Sequence, residues 1–268
     1  MLIIVPSSET KRPAPARGLP VDLEALSFPA LAAMRTQVLD ALIATSARPD
    51  ALRRLLVGES FVEEVARNTA LRDLAARPAL EVYAGTLHGG LDAGTLSTAA
   101  KRRAARHVVI ASALWGLLRP GDRIPPYRLN VCARLVGAER LEPAWRTVLP
   151  DVIAEAAGRR GPVLDLRSSS FQAMGVPAGL GDRTLTLSLA HDAAGRRVGN
   201  VIVKRVRGQA ARELLEAGEV ATDREGVAEI LGRRWPVRLD PPTGRGQSWN
   251  LVVTATDLGR EHVRLRPC

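Results

Sequence analysis

Short apolar runs alternate with stretches of helical periodicity along almost the whole chain, and this alternation constrains the fold more than any other feature. The runs are rich in Val, Ile and Leu and have the length of buried strands. They lie at 2–5, 107–111, 162–166, 184–189, 200–203 and 249–254. Between them, apolar residues recur every three or four positions, which predicts helices over 35–47, 59–76, 95–106, 143–159, 205–217 and 222–231. The sequence therefore predicts a mixed α/β fold.

Local signals mark several helix ends and the domain organisation. Thr222 followed by Glu225 has the spacing of a capping box, and Gly158 and Gly218 stand where helices should end. The Pro- and Gly-rich stretches are too short for flexible interdomain linkers. We therefore interpret residues 1–268 as one compact domain with a helical excursion at about 35–106.

The chain is strongly basic. Lys and Arg total 38 against 28 Asp and Glu, which gives a formal net charge of +10 and a pI near 10.9. This balance favours polyanionic partners such as nucleic acid or small phosphorylated ligands. An arginine-rich proteome explains the same charge without any partner, so both interpretations stay open. Only Lys11, Lys101 and Lys204 are lysines, and a compact ammonium with a tunable pKa differs from the guanidinium used elsewhere.

Location and cofactor use are constrained by what the sequence lacks. No apolar run reaches the roughly 18 residues of a membrane span, and the start, MLIIVPSSETKR, becomes polar too quickly for a signal peptide. A cytoplasmic protein with no membrane partner is expected. The two cysteines, Cys132 and Cys268, cannot build a disulfide framework. Metal-ligand spacing, a dinucleotide fingerprint and a phosphate loop are all missing, so we expect no metal and no cofactor.

The first candidate cluster follows the opening strand and contains Ser7, Ser8, Glu9 and Lys11. Hydroxyls, a carboxylate and an ammonium at a strand end can bind an anion, orient a water molecule or exchange a proton. Such strand ends are where open α/β sheets bind their ligands. A polar turn that closes a strand has the same composition, so a purely structural role is the alternative.

The second cluster is the stretch SALWGLLRPGDRIPPYRL at 112–129, which begins with Ser112. Its prolines and glycines indicate a rigid loop that holds side chains still. Trp115 and Tyr127 offer planar faces for stacking, while Arg119 and Arg128 offer forked donors for phosphate or carboxylate. The alternative is a structural turn with both aromatic residues in the core.

Two more clusters lie in the second half of the chain. Asp165, Arg167 and Ser168 come at the end of a predicted strand, before a helix whose N-terminus could bind an anion or simply be capped by a serine. Lys204 and Arg207 lie at a predicted strand-to-helix junction, where their charge requires a negative partner. That partner is either a ligand or a carboxylate in a buried ion pair.

Together these clusters resemble the YaaA family, bacterial proteins associated with peroxide stress. The similar motifs are LIIVPSSETK at the start, YAG at 83–85 with GLDA at 90–93, the stretch at 112–129 and KRVRG at 204–208. The similarity spans about residues 1–255. It implies a single domain of the family's α/β type, with a mixed sheet flanked by helices and a helix-hairpin-helix-like element. It also implies DNA binding and protection from peroxide damage.

Two functions follow as hypotheses. In the first, the protein binds the phosphate backbone of double-stranded DNA without sequence preference, in the response to peroxide. In the second, it is an enzyme that acts on a nucleotide, nucleoside or nucleobase in one cleft, with Glu9, Lys11, Asp165 and Lys204 as catalytic residues. The ligand-binding candidates are Ser7, Ser8, Ser112, Trp115, Arg119, Tyr127, Arg128, Arg167, Ser168 and Arg207. The second hypothesis expects Lys11 and Lys204 to face a common pocket.

Overall fold

A seven-stranded sheet forms the centre of the protein in a computed structural model, which describes residues 1–138, 140–176, 179–190 and 198–254. The strands are β1 (Leu2–Pro6), β2 (Arg77–Pro78), β3 (Val108–Ser112), β4 (Gly116–Leu118), β5 (Arg123–Ile124), β6 (Val163–Asp165), β7 (Thr184–Leu189), β8 (Val237–Asp240) and β9 (Trp249–Val253). The order in the sheet is β4-β3-β1-β6-β7-β9-β8, and β2 pairs with β5 in a separate two-stranded sheet. The five inner strands are parallel, whereas both edge strands are antiparallel.

The described residues also form eleven α-helices. They are α1 (Ala32–Ser46), α2 (Ala51–Leu55), α3 (Val62–Arg67), α4 (Ala79–Val82), α5 (Thr86–Leu91), α6 (Thr98–His107), α7 (Leu141–Arg146), α8 (Leu149–Ala157), α9 (Ser169–Gln172), α10 (Asn200–Glu216) and α11 (Arg224–Gly232). Helices and a mixed sheet in one compact fold confirm the predicted mixed α/β class. None of the helices described combines the length and the apolar character needed to cross a membrane.

Strand β1 shows why the parallel strands occupy the centre. Leu2, Ile3, Ile4 and Val5 form an unbroken apolar run and are almost fully buried. Such a run is typical of a parallel strand that is covered on both faces. Because β1 pairs with β3 on one side and with β6 on the other, the segments that follow these strands start at the same edge of the sheet.

Helices α5 and α10 pack with their backbones in contact, and glycine makes this possible. A Cβ atom at Gly208 would lie 1.9 Å from the carbonyl oxygen of Leu87, and one at Gly90 would lie 2.3 Å from the carbonyl oxygen of Arg205. Any other residue at either position would push the helices apart. The contact therefore holds the first turns of α10 close to α5.

The strand predicted at 200–203 is wrong, because these residues form the first turn of α10. The Val201-Ile202-Val203 run has the composition of a strand, but Val201 is 67% exposed. From Val206 onward the buried residues of α10 recur at helical spacing, and the helix extends back from them to Asn200. Apolar composition alone did not distinguish a strand from the first turn of a helix here.

Three other helix predictions need correction. Over 59–76 only α3 is α-helical, with a 3-10 turn on either side. The predicted helix over 143–159 is two helices, because α8 starts anew with Pro150 in its first turn. The N-cap of α11 is Asp223 rather than Thr222, since the Asp223 carboxylate accepts a hydrogen bond from the Gly226 amide at 2.8 Å. The predicted ends near Gly158 and Gly218 are confirmed.

Candidate functional site

A cavity of about 570 Å³, here called the cleft, opens where β1 and β6 end. Residues of α5, α9 and α10 line it together with the segment after β1. Six predicted site residues line the cleft: Ser7, Ser8, Glu9, Ser168, Lys204 and Arg207. Other polar residues along it were not among the predicted site residues: Thr10, Thr86, His88, Asn130, Cys132 and Ser170. The carboxyl edge of the parallel strands therefore brings together six of the fourteen predicted site residues with six further polar ones.

Lys204 and Arg207 bring positive charge to the cleft. They lie three positions apart on α10 and so project from the same face of the helix. The Arg207 guanidinium donates to the carbonyl oxygens of Leu187 at 2.9 Å and Arg167 at 3.2 Å. Burial lowers the pKa of Arg207 and nearby Asp165 raises it, and an arginine remains charged in proteins. Within the described ranges neither cation forms a salt bridge, so the cleft holds positive charge without a carboxylate partner.

The Ser8 hydroxyl fixes the segment after β1 against the start of α5. Its oxygen accepts hydrogen bonds from the backbone amides of Ala84 at 3.2 Å and Gly85 at 3.1 Å. A Cβ atom on Gly85 would lie 2.6 Å from the Ser8 Cβ, so the close approach depends on glycine there. The role of Ser8 in this contact is structural, and it sets the position of the neighbouring Ser7 and Glu9.

His88 is the most notable residue that the sequence analysis missed. It lies on α5, is buried, and lines both the cleft and an adjacent cavity of about 590 Å³. Its Nε2 donates to the Pro6 carbonyl oxygen at 2.9 Å, which leaves the lone pair on Nδ1. Burial lowers the pKa of His88 to about 4, and the buried Nδ1 has no hydrogen-bond partner among the residues that the structure describes. The only sequence signal was its position between the YAG and GLDA motifs.

Glu9 is held at the rim of the cleft by Arg128. The buried Arg128 guanidinium donates to the Glu9 carboxylate and to the Glu9 backbone oxygen, both at 3.2 Å. It also lies 3.7 Å from the centre of the Phe61 ring and 3.7 Å from a Glu64 carboxylate oxygen. Asn130 donates to the second Glu9 oxygen at 3.3 Å. Arg128 thus orients Glu9 and does not itself line the cleft.

Lys11 faces a different cavity. This cavity of about 270 Å³, the Lys11 pocket, is lined by Lys11, Arg12, Pro13, Ala14, Glu64, Arg67, Leu74, Pro126 and Tyr127. The Lys11 ammonium nitrogen lies 4.1 Å from the centre of the Tyr127 ring and donates to the Ser8 carbonyl oxygen at 2.8 Å. Burial and the Arg128 charge lower the pKa of Lys11 to about 7. The structure therefore does not bring Lys11 and Lys204 into a common pocket.

Asp165 and Arg167 form a closed ion pair below the cleft. Two guanidinium nitrogens meet the two carboxylate oxygens at 2.9 and 2.8 Å, and both side chains are at least 97% buried. Arg167 also donates to the Gly175 carbonyl oxygen at 3.1 Å. Neither residue lines the cleft, so the structure places Asp165 and Arg167 in a buried structural ion pair that the sequence analysis did not predict.

The remaining candidates lie in the core or on another surface. Trp115 is fully buried. Tyr127 is also buried, and its hydroxyl lies 2.7 Å from the Ser112 hydroxyl and 3.1 Å from the Tyr83 hydroxyl. Arg119 donates to the Arg106 carbonyl oxygen at 3.0 Å and lies outside the cleft. For the described part of the chain, no three His, Cys, Asp or Glu residues gather as a metal-binding group.

Comparison with known proteins gives consistent matches over the whole fold. The family profile described as "Peroxide stress protein YaaA" matches residues 1–227. A UPF0246 protein of Streptomyces coelicolor is 40% identical over 265 residues, covering 96% of this chain and 100% of its own. A UPF0246 protein of Corynebacterium efficiens is 37% identical over 258 residues, covering 94% and 100%. One from Corynebacterium glutamicum is 32% identical over 235 residues, covering 86% and 91%.

Proposed function

Because the chain belongs to the YaaA family of peroxide stress proteins, we propose that it acts in the peroxide response by binding a nucleotide or related phosphorylated compound in the cleft. The single observation that carries this proposal is the pair Lys204 and Arg207, two cations without a carboxylate partner in the described structure. A cytoplasmic location belongs to the same proposal, since nucleotides are cytoplasmic compounds in bacteria.

The charge and the size of the cleft support a ligand of this class. The first turns of α10 contain no acidic residue, so an anionic group next to Lys204 and Arg207 would supply the missing negative charge, and a phosphate accepts several charge-assisted hydrogen bonds at once. The serine and threonine hydroxyls around it add neutral donors and acceptors. A volume of about 570 Å³ exceeds what an inorganic anion needs and falls in the range of small-molecule sites.

The cleft also carries groups that suit acid–base chemistry, which supports a catalytic role. Glu9 offers a carboxylate, and His88 offers an imidazole that is neutral near pH 7 because burial lowers its pKa to about 4. Lys204 and Arg207 would hold the ligand while Glu9 or His88 takes a proton from it. Asp165 and Lys11, which the sequence grouped with them, have no part in this proposal.

The binding proposal is tested by replacing Lys204 and measuring affinity. Wild-type protein is screened against nucleotides, nucleosides and free bases by thermal shift, and the best ligand is then measured by calorimetry. Lys204→Gln should weaken binding about tenfold or more, since a charged hydrogen bond contributes about 1.5–3 kcal/mol. Lys101→Gln is the matched control, because it removes the same charge from the exposed face of α6. Equal losses in both variants, or no binding by any compound, would refute the proposal.

The catalytic part needs its own measurement. The wild-type protein is incubated with the bound compound, and products are identified by mass spectrometry. Glu9→Gln should keep binding within a few-fold and reduce turnover by about 100-fold or more, the usual contribution of a positioned proton acceptor. Product formation at the wild-type rate in Glu9→Gln and in His88→Gln would exclude both residues as the proton acceptor, whereas no product from the wild-type protein would assign the cleft to binding alone.

A second candidate, DNA binding, is favoured by the exposed basic face of α6. Lys101, Arg102 and Arg106 are exposed on this ten-residue helix, and the chain as a whole carries a net charge of +10. Cations on an exposed face can neutralise DNA phosphates without reading sequence. The helix-hairpin-helix element implied by the resemblance stays a prediction.

DNA binding is tested by fluorescence anisotropy with an unrelated pair of duplexes across a salt series. Affinity should be the same for both duplexes and should fall by orders of magnitude between about 50 and 200 mM salt. Arg102→Gln with Arg106→Gln should reduce the salt dependence, whereas Lys204→Gln should leave it unchanged. Binding that does not depend on salt would exclude this candidate.

A further inference from the structure

We propose that Lys11 is a nucleophilic amine that condenses reversibly with an aldehyde or ketone carrying an anionic group, bound in the Lys11 pocket. This activity is separate from the cleft, because the residues that line the Lys11 pocket and those that line the cleft do not overlap. Loss of nucleotide binding in Lys204→Gln would therefore leave this inference intact.

The contacts of the Lys11 nitrogen fit an uncharged amine. Its two backbone acceptors are the carbonyl oxygens of Ser8 at 2.8 Å and Glu9 at 3.3 Å, which match the two hydrogens of a neutral amine. The Tyr127 ring lies over the nitrogen at 4.1 Å from its centre, and the Tyr83 ring lies at 5.8 Å; these π faces favour the ammonium and oppose the effect of burial. In the part of the chain that the structure describes, no carboxylate forms a salt bridge with Lys11.

The charged groups around Lys11 leave the amine without a strong counterion. The Arg128 guanidinium forms salt bridges with the Glu9 carboxylate at 3.2 Å and with the Glu64 carboxylate at 3.7 Å. Burial of Lys11, and after it the positive charge of Arg128, lower the pKa of the amine to about 7, against a weaker opposing effect of the two carboxylates. The other titratable neighbours, Tyr83, Tyr127 and His88, are uncharged near pH 7, because burial raises the pKa of both tyrosines and lowers that of His88.

The pocket wall indicates what the carbonyl compound carries. Arg12 and Arg67 line the same cavity, and both are exposed. Arg67 uses only its Nε, in a hydrogen bond to the Glu63 carbonyl oxygen at 3.2 Å. Its terminal nitrogens and the Arg12 guanidinium have no partner among the described residues, so forked donors remain for a carboxylate or phosphate.

The reaction balances without an oxidant or reductant. The Lys11 nitrogen forms a bond to the carbonyl carbon, and one proton moves from nitrogen to oxygen to give a carbinolamine. Loss of one water molecule then gives the imine, and addition of water reverses the step.

The test labels the wild-type protein, in whose sequence the lysine amines are those of Lys11, Lys101 and Lys204. The probe is glyoxylate, an anionic aldehyde, at pH 7.5 with cyanoborohydride to reduce any imine, followed by peptide mapping. Lys11 should be labelled at least about tenfold faster than Lys101 or Lys204, because most of its population is uncharged at this pH. Its rate should reach half its maximum near pH 7, as its pKa requires. Equal rates at the three lysines would overturn the proposal, and this readout needs no variant to fold.

The preference for an anionic carbonyl compound is tested by a matched pair of arginine variants. In the wild type, glyoxylate should label Lys11 faster than the uncharged propionaldehyde relative to their rates at Lys101. Arg67→Gln should reduce this preference several-fold, whereas Arg53→Gln, which removes an exposed arginine outside the pocket, should not. The same preference in both variants would show that the pocket does not recognise the anion.

Discussion

Two Arg–Asp pairs in this protein have the same spacing and almost the same geometry, yet their environments are opposite. Asp165 with Arg167 and Arg238 with Asp240 both join residues two positions apart through two hydrogen bonds. The first pair has side chains 3% and 1% exposed, and the second has side chains 71% and 37% exposed. In water, exposed charges are screened and solvated, whereas a buried charge depends on its partner. Geometry alone therefore does not say what an ion pair contributes.

The buried pair also explains why the neighbouring arginine differs. Arg167 is neutralised by Asp165, and its backbone oxygen then accepts from Arg207 at 3.2 Å. Arg207 donates to carbonyl oxygens and forms no salt bridge with a carboxylate of the residues described. The charge of Arg167 is thus neutralised within the fold, whereas that of Arg207 is not.

The largest effect is expected when the buried pair is broken. Asp165→Asn leaves the Arg167 charge buried without a counterion, so the free energy of unfolding should fall by about 3–5 kcal/mol. Urea denaturation at pH 7 measures this change. A loss below about 1 kcal/mol would mean that water or another group compensates Arg167.

A buried titratable group without an ionic partner, His88, sharpens the comparison. The unfolded pKa is near 6.5 and the folded pKa is about 4, so between these values the unfolded chain binds a proton that the folded protein does not. Stability should therefore fall as pH decreases, by about 2 kcal/mol between pH 6.5 and 5. His88→Gln should remove this part of the pH dependence when both proteins are unfolded in urea. An unchanged slope would show that His88 is not the titrating group.

Removing both charges of the buried pair should cost less than removing one. The double variant Asp165→Leu with Arg167→Met leaves no unpaired charge, although the Gly175 carbonyl oxygen loses its donor. We expect a loss of about 1–2 kcal/mol in the free energy of unfolding. A double variant less stable than Asp165→Asn would indicate that the pair is needed for more than charge neutralisation.

The smallest effect is expected at the exposed pair. Asp240→Asn should leave the unfolding midpoint unchanged within experimental error, because solvent already screens both charges. The same urea titration serves as the measurement. A clear destabilisation would show that hydrogen-bond geometry, rather than burial, decides the contribution of these pairs.

Much of the fold was predictable from the sequence because apolar composition and period report burial. Five of the six predicted strands exist, and Thr184–Leu189 has the predicted bounds. The strand at 200–203 failed because three β-branched residues open a helix whose first turn is exposed. The edge strands β4 and β8 were missed, since they are short and mix polar with apolar residues or glycine.

The site was only partly predictable. The sequence indicates which residues follow a strand and so lie at one edge of the sheet, but it does not indicate the direction in which each side chain points. Glu9 and Ser168 meet in the cleft because they follow β1 and β6, which are parallel neighbours. Lys204 and Arg207 reach the cleft from α10 and not from the end of the predicted strand. Lys11, two residues beyond Glu9, turns back over Tyr127 into another cavity. Sequence spacing does not indicate that the Lys11 side chain turns in this way. It also does not indicate that Asp165 pairs with Arg167.

The glycine contact between α5 and α10 has a consequence for substitutions on the exposed side of α10. With the two backbones touching at Gly90 and Gly208, main-chain atoms set the position of the helix, and the exposed Lys204 side chain does not. An exchange at Lys204 should therefore leave the spacing of the two helices unchanged.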